Sequence, residues 1–198
     1  MDLRAYALFT ETEIEYRHVG NLVRVADFDV LSMSGEALAL VREDLKSWRR
    51  LVPAGALEAL ITRTLIFSSP SGETVMRCVR PRQFGRARFE LHWPGVGDVI
   101  GLHEVHDART TKFIIIGRSG PQEGAVIAER PRERLYSVCD NDGTSLAKVW
   151  MTSGQTRGAV TYRLVLSENV PDRLRVAAIG FIPGLHVARG APLVPVPG

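Results

Sequence analysis

The fold of this chain is decided by the stretch Pro171-Asp172-Arg173-Leu174-Arg175-Val176-Ala177-Ala178-Ile179-Gly180-Phe181-Ile182. A helix formed by this stretch is apolar on every side after Arg175, so protein or lipid must surround it. It is too short to span a bilayer, which takes about 20 apolar residues. Asp172 is suited to the N-cap, because its carboxylate can accept the unpaired N–H groups of the first turn, and Pro183-Gly184 is expected to end or kink the helix. A helix that runs through the middle of a β-barrel meets these constraints.

The sequence before this helix repeats one unit, which consists of an apolar strand, a turn that contains glycine and a second apolar strand. Five such hairpins are predicted, over residues 28–41, 65–79, 89–102, 112–128 and 136–149. Glycine suits the tips, because hairpin turns need a residue that tolerates a positive φ. The last three units begin at Phe89, Phe113 and Tyr136, at offsets of 24 and 23 residues. Such near-constant spacing indicates hairpins laid side by side.

Two further strands are predicted outside the hairpins. Residues 161–166 form one, and Glu13 and Glu15 alternate with Ile14 and Tyr16 as they would in an edge strand. The strands then number about 11–12, and closure into a barrel removes exposed edges. The predicted fold class is therefore mostly β, a closed antiparallel β-barrel around an apolar C-terminal helix.

The chain is predicted to form a single domain over residues 1–190, followed by an extended Pro-rich tail over residues 191–198. One segment of the domain breaks the strand pattern. Between residues 44 and 62 the apolar residues recur at helical spacing, on both sides of Pro53 and Gly55. We expect a short helical insertion there.

The composition is that of a globular protein, with 45% hydrophobic and 24% charged residues in 198. The formal net charge is only +3, which gives no reason to expect a nucleic-acid partner. Cys78 and Cys139 have no metal-ligand spacing and are expected to be core or strand residues rather than a disulfide pair. The sequence begins without a secretory signal and has no apolar run of bilayer length. We therefore expect a cytoplasmic protein with no transmembrane span, for which peripheral contact with the inner face of the membrane is left open.

Several segments, taken in order, resemble one protein family. Residues 89–101 are similar to a strand that is followed by a Pro-Gly turn and Ile-Gly, and Lys112–Ile116 to the next strand of that family. Residues 135–149 and the helix at 172–182 are similar to its last strand pair and its closing helix. From about Phe28 to Ile182 the chain thus resembles the phospholipid scramblases and LURP-one-related proteins of the tubby-like group. The resemblance implies a tubby-like barrel and a lipid-related binding role.

Scramblases of that family have an acidic stretch, proposed to bind calcium, just before the closing helix. In this chain the corresponding residues 152–160 contain no carboxylate. Because calcium prefers several oxygen ligands with net negative charge, we expect no calcium site in this segment.

A dense basic run lies between the second and third hairpins and comprises Arg77, Arg80, Arg82, Arg86 and Arg88. Guanidinium groups can bind phosphate oxygens with two hydrogen bonds each, so this run is the candidate site for phospholipid headgroups. The alternative is a solvated loop that pairs with surface acids. A second candidate patch consists of Lys46, Trp48, Arg49 and Arg50. Its tryptophan suits a lipid interface, although its helical spacing favours packing in the core.

No catalytic, metal or cofactor site is predicted. His103 and His106 are three residues apart after a strand, where they diverge instead of sharing a metal. Residues 140–143 begin like a calcium loop but lack its later ligands, so they are expected to form a turn. The leading hypothesis is a non-enzymatic binding protein for an anionic phospholipid, a membrane surface or an acidic protein. The alternative is an enzyme or small-molecule carrier with a cavity of several hundred Å³ inside the barrel.

Overall fold

A computed structural model of the chain describes residues 6–19, 27–44, 62–82, 85–93, 99–106, 111–117, 120–130, 135–153 and 160–189. Within these residues twelve strands close into an antiparallel barrel, and one long helix follows the last strand. The prediction of a mostly β fold, a closed barrel around an apolar C-terminal helix, is confirmed. The predicted insertion between residues 44 and 62 and the tail at 191–198 lie outside the described residues, apart from Asp44 and Thr62.

The strands follow one another around the barrel in chain order. They are β1 (Glu13–His18), β2 (Phe28–Ser32), β3 (Ala37–Glu43), β4 (Arg63–Ser68), β5 (Thr74–Arg80), β6 (Arg88–His92), β7 (Val99–His106), β8 (Thr111–Gly117), β9 (Gln122–Arg130), β10 (Leu135–Asp140), β11 (Ser145–Ser153) and β12 (Val160–Leu166). The helix α1 comprises Asp172–Arg189.

The first strand closes the ring. Residues 13–17 of β1 pair with β12 and residues 14–18 pair with β2, so β1 has a hydrogen-bonded neighbour on both sides. The prediction of an edge strand was therefore wrong. Ile14 and Tyr16 are fully buried inside the barrel, whereas Glu13 is exposed on the outer wall. Strands with neighbours on both sides in a closed barrel also alternate between interior and exterior residues, so the pattern alone does not identify an edge.

Three of the hairpins share one five-residue turn, formed by residues 32–36, 69–73 and 140–144. In each, the first side chain (Ser32, Ser69 or Asp140) accepts a hydrogen bond from the backbone N–H of the fifth residue, at 2.9–3.1 Å. The fourth residue is a glycine with φ between 83° and 91°, a conformation that glycine adopts at little cost. The Asp140 turn confirms that residues 140–143 connect two strands.

The helix α1 fills the barrel. Val176, Ala177, Ala178 and Ile179 have no exposed surface. Two helix glycines face β6 at close range: a Cβ atom built on Gly180 would lie 2.5 Å from a methyl of Leu91, and one on Gly184 would lie 2.3 Å from the ring of Phe89. The helix therefore packs directly onto β6 because these two positions carry no side chain.

The helix continues through Pro183, where the sequence predicted an end or a kink. Proline has no N–H to donate to the carbonyl four residues earlier, which here belongs to Ile179. The hydroxyl of Tyr16, from the opposite wall of the barrel, donates to that carbonyl oxygen at 2.8 Å. The buried carbonyl is thus satisfied by the strand instead of by the helix, so α1 can extend to Arg189.

The helix begins close to the predicted residue. The N–H of Arg175 donates to the carbonyl of Pro171 at 2.9 Å, and Asp172 is the first residue of the helix. Asp172 therefore lies inside the first turn, where its carboxylate interacts favourably with the helix dipole, and not at the N-cap position that the sequence predicted.

The two ends of the barrel differ. The end that we call the turn end carries the three shared turns and the start of α1, and the buried Leu8 and Phe9 of a short 3-10 turn pack against the core. At the opposite end, the loop end, β5 ends, β6 begins and α1 reaches its last residue. Cys78 and Cys139 are both buried in strands with free thiols, as predicted for core cysteines.

Candidate functional site

Four arginines of the predicted basic run are exposed on one side of the barrel. Arg77 lies on the outer face of β5 and Arg88 on that of β6, while Arg82 and Arg86 belong to the connection between these strands at the loop end. Arg77 pairs in register with His92, and Arg88 lies four residues before His92 on β6, about 13 Å nearer the loop end. The four exposed residues therefore lie on the outer surface of β5 and β6 and on the connection between them. We call this surface the arginine edge; it consists of Arg77, Arg82, Arg86 and Arg88.

Arg80 does not share this exposure. Its side chain is buried, with 4% of its surface exposed, because it has the inward position of Met76 and Cys78 on β5. Its guanidinium donates to the carbonyl oxygen of Val187 in the last turn of α1 at 3.2 Å. A cation at a helix C-terminus is favourable because the last carbonyls carry partial negative charge. Arg80 thus joins the helix to β5 and is removed from the set of exposed headgroup candidates.

The β5–β6 connection is held to the barrel at both ends: Arg80 holds its first end, and Ala87 holds its second end. The carboxylate of Glu104, on the inner face of β7, accepts a hydrogen bond from the backbone N–H of Ala87 at 2.8 Å. The backbone N–H of Glu104 donates to the carbonyl of Ala87, also at 2.8 Å. Arg80 and Ala87 are therefore both tied to the barrel interior, so the exposed Arg82 and Arg86 project from a connection with anchored ends.

An acid and two histidines lie next to the arginine edge on the outer wall. Glu90 forms an ion pair with Arg88 at 2.9 Å, and its second oxygen lies 3.5 Å from Nε2 of His92. His103 stands opposite Arg88 in the β6–β7 register. Partial burial and, secondarily, the Arg88 charge lower the pKa of His103, because both disfavour the imidazolium. The edge therefore combines its arginines with one carboxylate and with a histidine that stays neutral at neutral pH.

The second candidate patch, Lys46, Trp48, Arg49 and Arg50, lies outside the described residues. The sequence did not predict the ion pair between Arg63 and Glu43, whose guanidinium and carboxylate make two hydrogen bonds of 2.6 Å. Only 8% and 2% of their side chains are exposed. The signal was present in the strand alternation, because Arg63 shares its inward parity with Leu65 and Phe67.

Neither a metal-binding cluster nor a membrane-spanning helix occurs in the described part of the chain. No group of three His, Cys, Asp or Glu side chains in those residues is arranged to hold a metal ion. No helix in the described ranges is long and apolar enough to cross a membrane. His103 and His106 both belong to β7. The side chain of His103 is half-buried on the outer wall, and that of Glu104 points inward.

No protein-family model, no curated protein and no solved structure matches this chain. We therefore infer the function from the geometry of the barrel and its outer surface.

Proposed function

We propose that this protein is a non-enzymatic binding protein, related to the tubby-like and scramblase proteins, that contacts anionic phospholipid headgroups through its arginine edge. The observation that carries the proposal is the grouping of Arg77, Arg82, Arg86 and Arg88 on one exposed side of the barrel. Arginine binds phosphate oxygens through paired hydrogen bonds, and clustered basic residues are attracted to anionic membrane surfaces.

The anchoring of the edge supports this proposal. The two ends of the β5–β6 connection are held in place: Arg80 is hydrogen-bonded to the helix, and Ala87 is hydrogen-bonded to β7. When side chains bind a surface, a connection whose two ends are held in place loses less conformational freedom than an unanchored loop. The exposed arginines can therefore engage headgroups at a smaller entropic cost.

The packing of the barrel interior favours a surface function over a carrier function. Residues 176–179 of α1 have no exposed surface, and Phe181 forms ring contacts with Phe89, Phe113 and Tyr136 at centroid distances of 5.1–6.5 Å. A small-molecule site needs about 300 Å³ or more. Since α1 occupies the centre of the barrel, we place the binding surface on the outside.

The experiment is vesicle flotation, with phosphatidylcholine vesicles that contain or lack phosphatidylserine. Each basic residue near an anionic surface contributes about 1 kcal/mol, so four contribute about 4 kcal/mol, close to a thousandfold in affinity. We expect the wild-type protein to float only with the anionic vesicles at low salt and to be released as salt rises. The quadruple variant with Arg77, Arg82, Arg86 and Arg88 changed to Gln is expected to stay unbound.

A second quadruple variant controls for net charge. It changes four arginines that each form an ion pair with a carboxylate elsewhere on the outer surface, namely Arg17, Arg42, Arg163 and Arg173. The two variants have the same formal charge, so only a local surface can distinguish them. Equal flotation of both variants, or a wild-type protein that never floats, would contradict the proposal and direct the search to a soluble acidic partner.

A further inference from the structure

A surface groove lies on the side of the barrel opposite the arginine edge. Strands β11 and β12 form it, and they stand six positions around the twelve-strand ring from β5 and β6. Its volume is about 350 Å³, at the lower end of the range for small-molecule sites. Because the two surfaces face in opposite directions, the groove cannot share a flat membrane with the arginine edge.

The walls of the groove are apolar. Leu146, Trp150 and Val165 line it with half-buried side chains on the outer face of the sheet. The indole of Trp150 offers a large, flat surface, and contact with it removes much apolar area from water. An apolar chain or ring therefore fits this part of the groove.

The polar side chains of the groove are one ammonium, which can only donate, and two hydroxyls, which can donate or accept. Lys148 and the exposed Ser145 and Ser167 line it together with the apolar residues, and none of the lining residues within the described ranges is a carboxylate. In the described part of the chain the Lys148 ammonium and the two hydroxyls make no side-chain hydrogen bond or ion pair. Lys148 pairs in register with Val165, so its charge lies directly beside the apolar wall.

The geometry points to a binding site for a small amphiphilic anion, with its apolar part against Trp150 and its carboxylate or phosphate at Lys148. Charge complementarity selects the anion, because Lys148 is the one ionisable side chain among the described residues that line the groove. The apolar walls select a ligand with a hydrocarbon part over a simple anion such as phosphate. The site is independent of the proposed headgroup surface.

The test uses decanoate as the probe, below its micellar concentration, with backbone amide NMR of the full chain. We expect saturable shifts of the amides in residues 145–150 and 165–167, with weaker binding of decanol and still weaker binding of decylammonium. An exposed ion pair contributes up to about 1 kcal/mol, so Lys148→Gln should raise the Kd for decanoate about two- to fivefold. The same change should leave the Kd for decanol unaltered.

Lys112→Gln is the matched control, because Lys112 is the other lysine on a described strand and lies on β8, away from the groove. It should leave the Kd for decanoate unchanged. Shifts that do not saturate, or a Lys148→Gln protein that binds decanoate as tightly as the wild type, would overturn the inference. To separate a free amphiphile from a bilayer lipid, Lys148→Gln is floated with anionic vesicles. Unchanged flotation is expected, and reduced flotation would contradict a site that faces away from the membrane.

Discussion

Changing Tyr16 to Phe removes one hydroxyl from the barrel core and leaves the ring in place. Tyr16 is fully buried, and its hydroxyl donates to the carbonyl oxygen of Ile179 at 2.8 Å. Burial raises the pKa of Tyr16, so the hydroxyl keeps its proton and remains a donor. Since Pro183 has no N–H for that carbonyl, Tyr16→Phe removes the bond that takes the place of the helical one.

A buried polar group that loses its hydrogen bond costs about 1–3 kcal/mol. For a chain of this size, 1 kcal/mol corresponds to about 2–4 °C in Tm. We therefore expect Tyr16→Phe to lower the free energy of unfolding by about 1–3 kcal/mol and the Tm by about 2–12 °C. In a Pro183→Ala background the restored N–H can donate to the Ile179 carbonyl, so there the same change should cost less than about half as much.

The assay is urea denaturation of four proteins: the wild type, the two single variants and the double variant. The cycle isolates the coupling between the hydroxyl and the proline, which we expect to be about 1 kcal/mol. An equal loss of stability from Tyr16→Phe in both backgrounds would refute the reasoning. The hydroxyl would then stabilise the fold in a way that does not depend on Pro183 leaving the Ile179 carbonyl without a helical donor.

Two further predictions concern charged groups of the barrel. Arg63→Met leaves the buried Glu43 carboxylate without its ion-pair partner, so urea denaturation should show a free energy of unfolding lower by about 3–5 kcal/mol. Adding Glu43→Gln should recover much of that loss, and a double variant no more stable than Arg63→Met would contradict an ion-pair origin. The pKa of His103 lies below 6.5, so as the pH falls below 6.5 the unfolded chain binds this proton first and the fold loses stability. NMR titration should show that Arg88→Gln raises the pKa of His103, and an unchanged midpoint would rule out the Arg88 charge as a cause of the lowered pKa. The wild type should also lose more stability on acidification than His103→Gln.

Much of the fold could be predicted because the determining signals are local. Glycine at the fourth position of each shared turn sets the hairpins, and alternation along the strands sets which side chains face the core. The absence of any polar face after Arg175 requires a helix surrounded by other parts of the structure. The end of α1 could not be predicted in this way, since Pro183 is tolerated through a bond to Tyr16, which is 163 residues from Ile179 in sequence.

The candidate site was predictable only in part. Charge density selects Arg77, Arg82, Arg86 and Arg88, which are exposed in the structure, but it also selects the buried Arg80. Strand parity separates Arg80 from them, because it follows Met76 and Cys78 on the inward face. That parity indicates burial, but it does not identify the partner. The partner is the carbonyl of Val187, which only the path of the helix through the barrel brings near.

The filled barrel also limits where function can reside. An internal ligand would have to displace α1, whose glycines at 180 and 184 already bring its backbone against Leu91 and Phe89. Interiors packed in this way tolerate added volume poorly, and overpacking costs about 1–3 kcal/mol for a single side chain. Binding is therefore expected on the outer wall and at the rims, where arginines on β5 and β6 and the groove on β11 and β12 offer different chemistry on opposite sides. Loss of vesicle binding in the arginine variant with decanoate binding intact would establish two independent surfaces on one barrel, provided that Lys148→Gln weakens decanoate binding and leaves vesicle binding intact.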